Sequence, residues 1–152
     1  MDINWLQLAT LAIALIGAVL GLINTWRALS NDRVRVRVTP SWNLFNTGQE
    51  SIGIEVVNLS SFAVTVTSIG FTKRGTGEHA MIVRPMLSSG DGLPKRLEPR
   101  TSFTAFAMPD ALESISGKLD RAYVNTGCGL RITSKRKPLE VALHNLALAR
   151  RN

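Results

Sequence analysis

The chain has 152 residues, with 18 Lys+Arg against 11 Asp+Glu and a net charge of +7. That length allows one modest globular domain, and the single cysteine excludes a disulfide framework and a four-thiolate zinc site. Apolar residues make up 45% of the chain and mean hydropathy is +0.10, which excludes intrinsic disorder.

The apolar excess sits at the amino end. Residues 5–26 read WLQLATLAIALIGAVLGLINTW, and no charge falls between Asp2 and Arg27. A helix over this run is roughly 33 Å long, which matches a hydrocarbon core of roughly 30 Å. Trp5 and Trp26 flank it, where indole rings favour the membrane interface. The alternative is a buried helix of a soluble core, but so small a domain leaves too little chain to wrap it. A cleaved signal peptide needs a basic start and a small-x-small site. The start carries Asp2 instead, and Asn24 to Leu29 offers no such site. Residues 1–30 are therefore expected to be a retained transmembrane anchor.

Charge sets its direction. Arg27, Arg33, Arg35 and Arg37 follow the span, opposed only by Asp32. The positive-inside rule then predicts a single-pass protein of the cell inner membrane, with the N-terminus outside and the remainder cytoplasmic. Trp5, Trp26 and these four arginines are the expected membrane-interface residues, the arginines facing anionic lipid headgroups. Within the span, Thr10, Ala14, Gly17, Gly21 and Asn24 recur at helical spacing as a stripe of small or weakly polar residues. Gly17 and Gly21 fit the small-xxx-small pattern of close helix contact. Thr10, Ala14, Gly17 and Gly21 are thus the expected helix-association residues, for a homo-oligomer or a partner span. Glycine and alanine are also simply common in membrane helices, so the pattern is a weak one.

From residue 33 the period changes to two. Arg33, Arg35 and Arg37 interleave with Val34, Val36 and Val38, which predicts a strand with one basic and one apolar face. Such charges also discourage edge-to-edge pairing. The next strand is expected at Ile52–Asn58, with Ile54 and Val56 inward, followed by a turn through Phe62. A third spans Ala63–Lys73. Its apolar parity shifts between Val66 and Ile69, which predicts a bulge near Ser68. After the Gly75-Thr76-Gly77 turn, a short strand is expected at His79–Arg84, holding Met81 and Val83. Residues 85–100 carry Pro85, Gly90, Gly92, Pro94 and Pro99 and are expected to be mostly loop. Thr101–Met108 returns to strand with Phe103 and Phe106 in the core, and Asp110–Ser116 makes a helical turn or two. Arg121–Asn125 and Leu130–Thr133 close the sheet around the turn at Cys128. About seven short strands separated by turns predict an antiparallel β-sandwich or small barrel over residues 31–137. In the tail, 138–152, Pro138 opens a helix whose Leu139, Leu143 and Leu146 share a face, with Ala142 and Ala147 beside it. It is expected to pack on the domain, the alternative being a helix lying in the lipid interface.

The run Ile54 to Gly70, with Val56, Asn58, Ser60, Val64 and Val66, resembles the second and third strands of immunoglobulin-like bacterial sandwiches. With the Leu97-Glu98-Pro99 loop and the strand Arg121-Ala122-Tyr123-Val124, the layout resembles small bacterial and phage-type single-span membrane proteins carrying an immunoglobulin-like β-domain. That resemblance covers most of the chain and implies a mainly β fold. Its motifs are structural and imply no catalytic residue.

Catalytic chemistry finds little footing. Cys128 needs a base, and nothing in the sequence brings His79 or His144 beside it. One cysteine and two separated histidines show no zinc-ligand spacing. The short glycine turns lack the lysine and helix of a phosphate loop. No catalytic residue, cofactor or metal is expected, and the chain reads as a non-enzyme. Removing Arg27, Asp2 and Asp32 from the totals leaves 17 Lys+Arg and 9 Asp+Glu in residues 33–152. Lys135, Arg136 and Lys137 form one basic run, and Arg150 with Arg151 another. Such a surface attracts nucleic acid or anionic lipid. Tethering at a membrane and an aromatic content of 6% favour lipid over nucleic acid. The sequence thus predicts a membrane-anchored adaptor whose basic cytoplasmic β-sandwich binds a protein partner. The alternative is a ligand-sensing effector whose clustered spans perturb the bilayer.

Overall fold

The computed structural model describes residues 4–31, 33–46, 48–90, 92–107, 112 and 119–149. Contacts divide the chain into two units, with the break between Arg33 and Val34. The first is helix α1, Trp5–Asn31. No charge interrupts it before Arg27, and a threonine in a helix can bond its own backbone. The Thr10 hydroxyl donates to Leu6 O at 2.8 Å and that of Thr25 to Gly21 O at 2.9 Å. Both hydroxyls are thereby satisfied within the helix.

The second unit is mainly β. Its strands are β1 Val36–Leu44, β2 Glu50–Asn58, β3 Val64–Lys73, β4 His79–Met81, β5 Met86–Leu87, β6 Lys95–Leu97, β7 Ser102–Ala107, β8 Leu119–Thr126 and β9 Arg131–Thr133. A closing helix, α2, spans Arg136–Ala149. Every strand pair is antiparallel. One sheet has the order β1-β2-β7-β5, and the other β4-β3-β8-β9 with β6 also paired to β3. β6 takes the first half of one β3 edge, opposite Val64–Val66, and β4 the second half, opposite Gly70–Thr72. Ile52, Ile54, Val56 and Phe103 from the first sheet join Val66, Ile69, Phe71 and Val124 from the second in one core. Leu139, Ala142 and Leu146 of α2 complete it.

Ile54 and Val56 are inward in β2 as expected, fully buried with Ile52, although Ser51 and Gly53 on the opposite face are buried too. The expected bulge also appears, as a register shift between Val66 and Ser68 that moves the inward face from Val66 to Ile69. Several sequence expectations need correction. β1 starts at Val36 rather than Arg33 and continues through Pro40 to Leu44. The strand expected at His79–Arg84 ends at Met81; Met81 and Val83 are exposed and Ile82 between them packs on the core. Phe103 is buried, but Phe106 lies on the opposite parity and meets Phe45 edge-on at 5.0 Å. The Pro- and Gly-rich stretch contains two strands, β5 and β6, each two or three residues long. α2 begins two residues before Pro138, and Ala147 is exposed. The helical turns expected at Asp110–Ser116 lie outside the described residues, except Leu112, which is buried.

Asn58 ties two loops together where β2 ends. It is fully buried, and its side-chain amide donates to Phe62 O, Leu97 O and Glu98 O at 2.8, 3.0 and 3.2 Å. Its Oδ1 accepts Ser60 N at 2.9 Å, which makes the turn after β2. Ser60 Oγ then accepts Arg35 N at 2.8 Å, pinning the entrance to β1.

Candidate functional site

Within α1, Trp5–Ala28 is a 24-residue apolar stretch with none of its most apolar window buried. It is long and apolar enough to cross a membrane. At about 100° per residue, Thr10, Ala14, Gly17 and Gly21 fall within roughly 60° of one another around the helix. A shallow concavity over Leu6, Gln7, Thr10, Leu11 and Ala14 runs along the start of this lane. A side chain built on Gly17 or Gly21 would meet nothing within 4 Å. The four small residues therefore do share one open face. Trp5 and Trp26, near the two ends of the run, are 80% and 75% exposed.

The arginines that follow are exposed at Arg27, Arg33, Arg35 and Arg37. The intervening valines turn progressively inward, half-buried at Val34 and Val36 and 6% exposed at Val38. Of the four arginines only Arg37 lies in β1. Arg27 and Arg33 belong to the first unit, Arg35 and Arg37 to the second.

The basic run at the start of α2 is split by its surroundings. Arg136 turns to Asp120, with Nε 2.5 Å from Oδ1, and this carboxylate holds the guanidinium above its ordinary pKa. Lys135 and Lys137 instead border a groove of about 480 Å3 between α2 and β1, floored by Pro40, Ser41, Trp42 and Val141. Arg150 and Arg151 lie outside the described residues.

The candidate nucleophile Cys128 is exposed in the β8–β9 turn. Its sulfur lies 3.1 Å from Thr126 Oγ1. That hydrogen bond, with a smaller one from the Leu130 backbone, lowers the thiol pKa from its ordinary value. His144 is exposed on α2. His79 joins a cluster that the sequence did not signal. Its ring meets Tyr123 edge-on at 5.2 Å, and its Nε2 lies 2.5 Å from Arg131 Nη1. Arg131 stacks 4.8 Å from the Tyr123 centroid and donates through Nε to Asn125 Oδ1 at 2.9 Å. Asn125 in turn donates to Ser68 Oγ at 2.8 Å. Burial raises the Tyr123 pKa, partly offset by Arg131. Gly70 lies directly opposite Tyr123, and a side chain there would collide with Ala80 O and sit 2.8 Å from Tyr123 Oη. The cluster is thus a polar clasp holding β3, β4, β8 and β9 together. A glycine inside a strand is its one sequence trace. Among the described residues no three His, Cys, Asp or Glu side chains gather to hold a metal.

No protein-family model matches the chain, and no curated protein matches it.

Proposed function

We propose that this chain is a single-pass membrane protein whose basic β-domain binds a protein partner at the membrane surface, without catalysis of its own. The observation that carries this reading is α1, whose 24-residue apolar run presents its side chains outward with none of its most apolar window covered by protein. Exposed apolar side chains in such number have no stable place in water, and a bilayer satisfies them along their full length. The arginines that follow α1 favour an orientation with the domain in the cytoplasm, at the inner membrane of a bacterial cell. Anionic headgroups suit Arg27, Arg33, Arg35 and Arg37, and the Thr10–Gly21 lane suits a second copy of the span. The domain, two antiparallel sheets around one core, is assigned here to the immunoglobulin-like sandwiches, as found in small bacterial and phage-type membrane proteins.

Cys128 supplies the test of orientation, because it is the only cysteine and is exposed. A membrane-impermeant maleimide should label it in inverted vesicles and leave it unlabelled in intact spheroplasts. Labelling in intact spheroplasts overturns the cytoplasmic placement. For the binding role, capture from detergent-solubilised membranes should recover one stoichiometric partner that a scrambled-domain control does not. Repeated recovery of nothing beyond the control contradicts it.

A further inference from the structure

We propose that the outer face of the second sheet carries a phosphate-binding site, with the Arg131 guanidinium as its anchor and His79 at its rim. The site goes beyond the partner-binding reading and does not depend on it.

Strand register places the residues. On the face turned away from the core, Ser68, Asn125 and Arg131 form one row across β3, β8 and β9. The next row is Met81, Gly70, Tyr123 and Thr133, and the third is His79, Thr72 and Arg121. Ile69, Phe71, Ala122 and Val124 between them supply the inward face. Because Gly70 has no side chain, the Tyr123 ring occupies the space above it, and Tyr123 is 2% exposed. Arg131 reaches diagonally from the first row to His79 in the third, stacking 4.8 Å from the centroid of that ring.

The contacts of Arg131 fix its charge and its neighbour's. A guanidinium only donates, so His79 Nε2 accepts from Nη1, and the imidazole is neutral with its proton on Nδ1. Nε donates to Asn125 Oδ1 at 2.9 Å. Two of the five guanidinium N–H groups are therefore spent on neutral acceptors, and three remain. Arg131 is exposed, unlike the ring beneath it. No carboxylate reaches it among the described residues. Other cations of this sheet differ, since Lys73 pairs with Glu78, Arg96 with Glu98 and Arg121 with Asp120. Arg131 is thus a cation held in place before any anion arrives, which removes the ordering cost that a free surface arginine pays.

The donors also point to a ligand class. A carboxylate meets a guanidinium through one flat edge of two oxygens. A phosphate monoester brings three acceptor oxygens and nearly two charges. It can take the free edge of Arg131 and leave an oxygen for the hydroxyl and imidazole of the flanking residues, Thr133 and His79. The excess of cations over residues 33–152 draws such an anion to the domain. A lipid headgroup and a soluble phosphomonoester present the same chemistry here.

The test follows the isotope-labelled full chain in detergent micelles by NMR during titration with inorganic phosphate, at constant pH and ionic strength. The account expects saturable shifts at His79, Tyr123, Arg131 and Thr133 and none at Lys135 or Lys137. Acetate, the carboxylate control, should shift the same signals more weakly. Arg131→Gln should weaken phosphate binding about tenfold. Arg131→Lys, which keeps the charge but loses the planar fork, should weaken it severalfold. Circular dichroism and thermal midpoint establish that each variant is folded, and the lysine variant carries the test if the glutamine one is not. Nanodiscs holding the full chain separate the two sources. Signals already shifted in discs with phosphatidic acid, relative to phosphatidylglycerol discs of matched surface charge, identify a lipid headgroup. Unshifted signals that still answer to added phosphate identify a soluble phosphomonoester, and either result supports the site. No saturable shift, an equal response to acetate, shifts that extend to Lys135 and Lys137, or binding unchanged in a folded Arg131 variant overturns the proposal.

Discussion

Asn58 shows how much of the domain hangs on single polar groups. Its amide serves three backbone carbonyls from two separate loops, in a place water does not reach. Replacing it leaves those carbonyls and Ser60 N short of partners, and buried orphans are costly. Asn58→Ala should destabilise the domain by about 3 kcal/mol, read as a fall of roughly 10–20 °C in thermal midpoint. The Cys128 thiol presents the opposite case, an exposed group tuned by one neighbour. Because its hydrogen bond with Thr126 lowers the thiol pKa, its reaction with iodoacetamide should rise with pH around a midpoint below the ordinary thiol value of 9.0. Thr126→Val removes that hydrogen-bond partner, so the midpoint should move up and the rate at neutral pH should fall. An unchanged profile would mean that the Leu130 backbone bond and exposure alone set the thiol.

At the scale of elements, what was legible followed from local period. The four small residues of α1 fall on one face because helical spacing needs no knowledge of the rest of the chain. β2 and the bulge in β3 were legible for the same reason, since a run of nine or ten residues displays its parity. β5 and β6 were not, because two or three residues inside a Pro- and Gly-rich stretch show no period at all. Phe106 misled because an apolar residue is no guide to side when the strand's parity is anchored elsewhere. Phe103 fixes the inward face of β7, so Phe106, three residues on, must point out. The Tyr123 clasp needed strand register that sequence does not state: His79 and Arg131 are 52 residues apart and meet only because β3 and β8 are neighbours. α2 was legible as an amphipathic helix, and its buried face shows what it holds. Leu139 is fully buried, so Leu139→Ala should cost about 2–5 kcal/mol by the cavity it leaves. Amide exchange should then accelerate in α2 and β1 before it does in β3. Uniform acceleration would show that α2 is not a separable lid on the core.

For the whole molecule, the two units divide the physical work. One carries an apolar run whose most apolar window is wholly unburied, and the other carries the net positive charge of the chain around a core of its own. Each makes sense of the other if the first resides in lipid, since a charged domain held at a surface gains local concentration for whatever it binds there. That residence is the premise behind orientation, headgroup contact and span pairing alike. Alkaline carbonate extraction of membranes from cells expressing the full chain addresses it directly, since the treatment strips peripheral proteins and leaves integral ones. The account predicts that the chain stays in the pellet and is released only by detergent. Recovery in the carbonate supernatant as a monomer would contradict it.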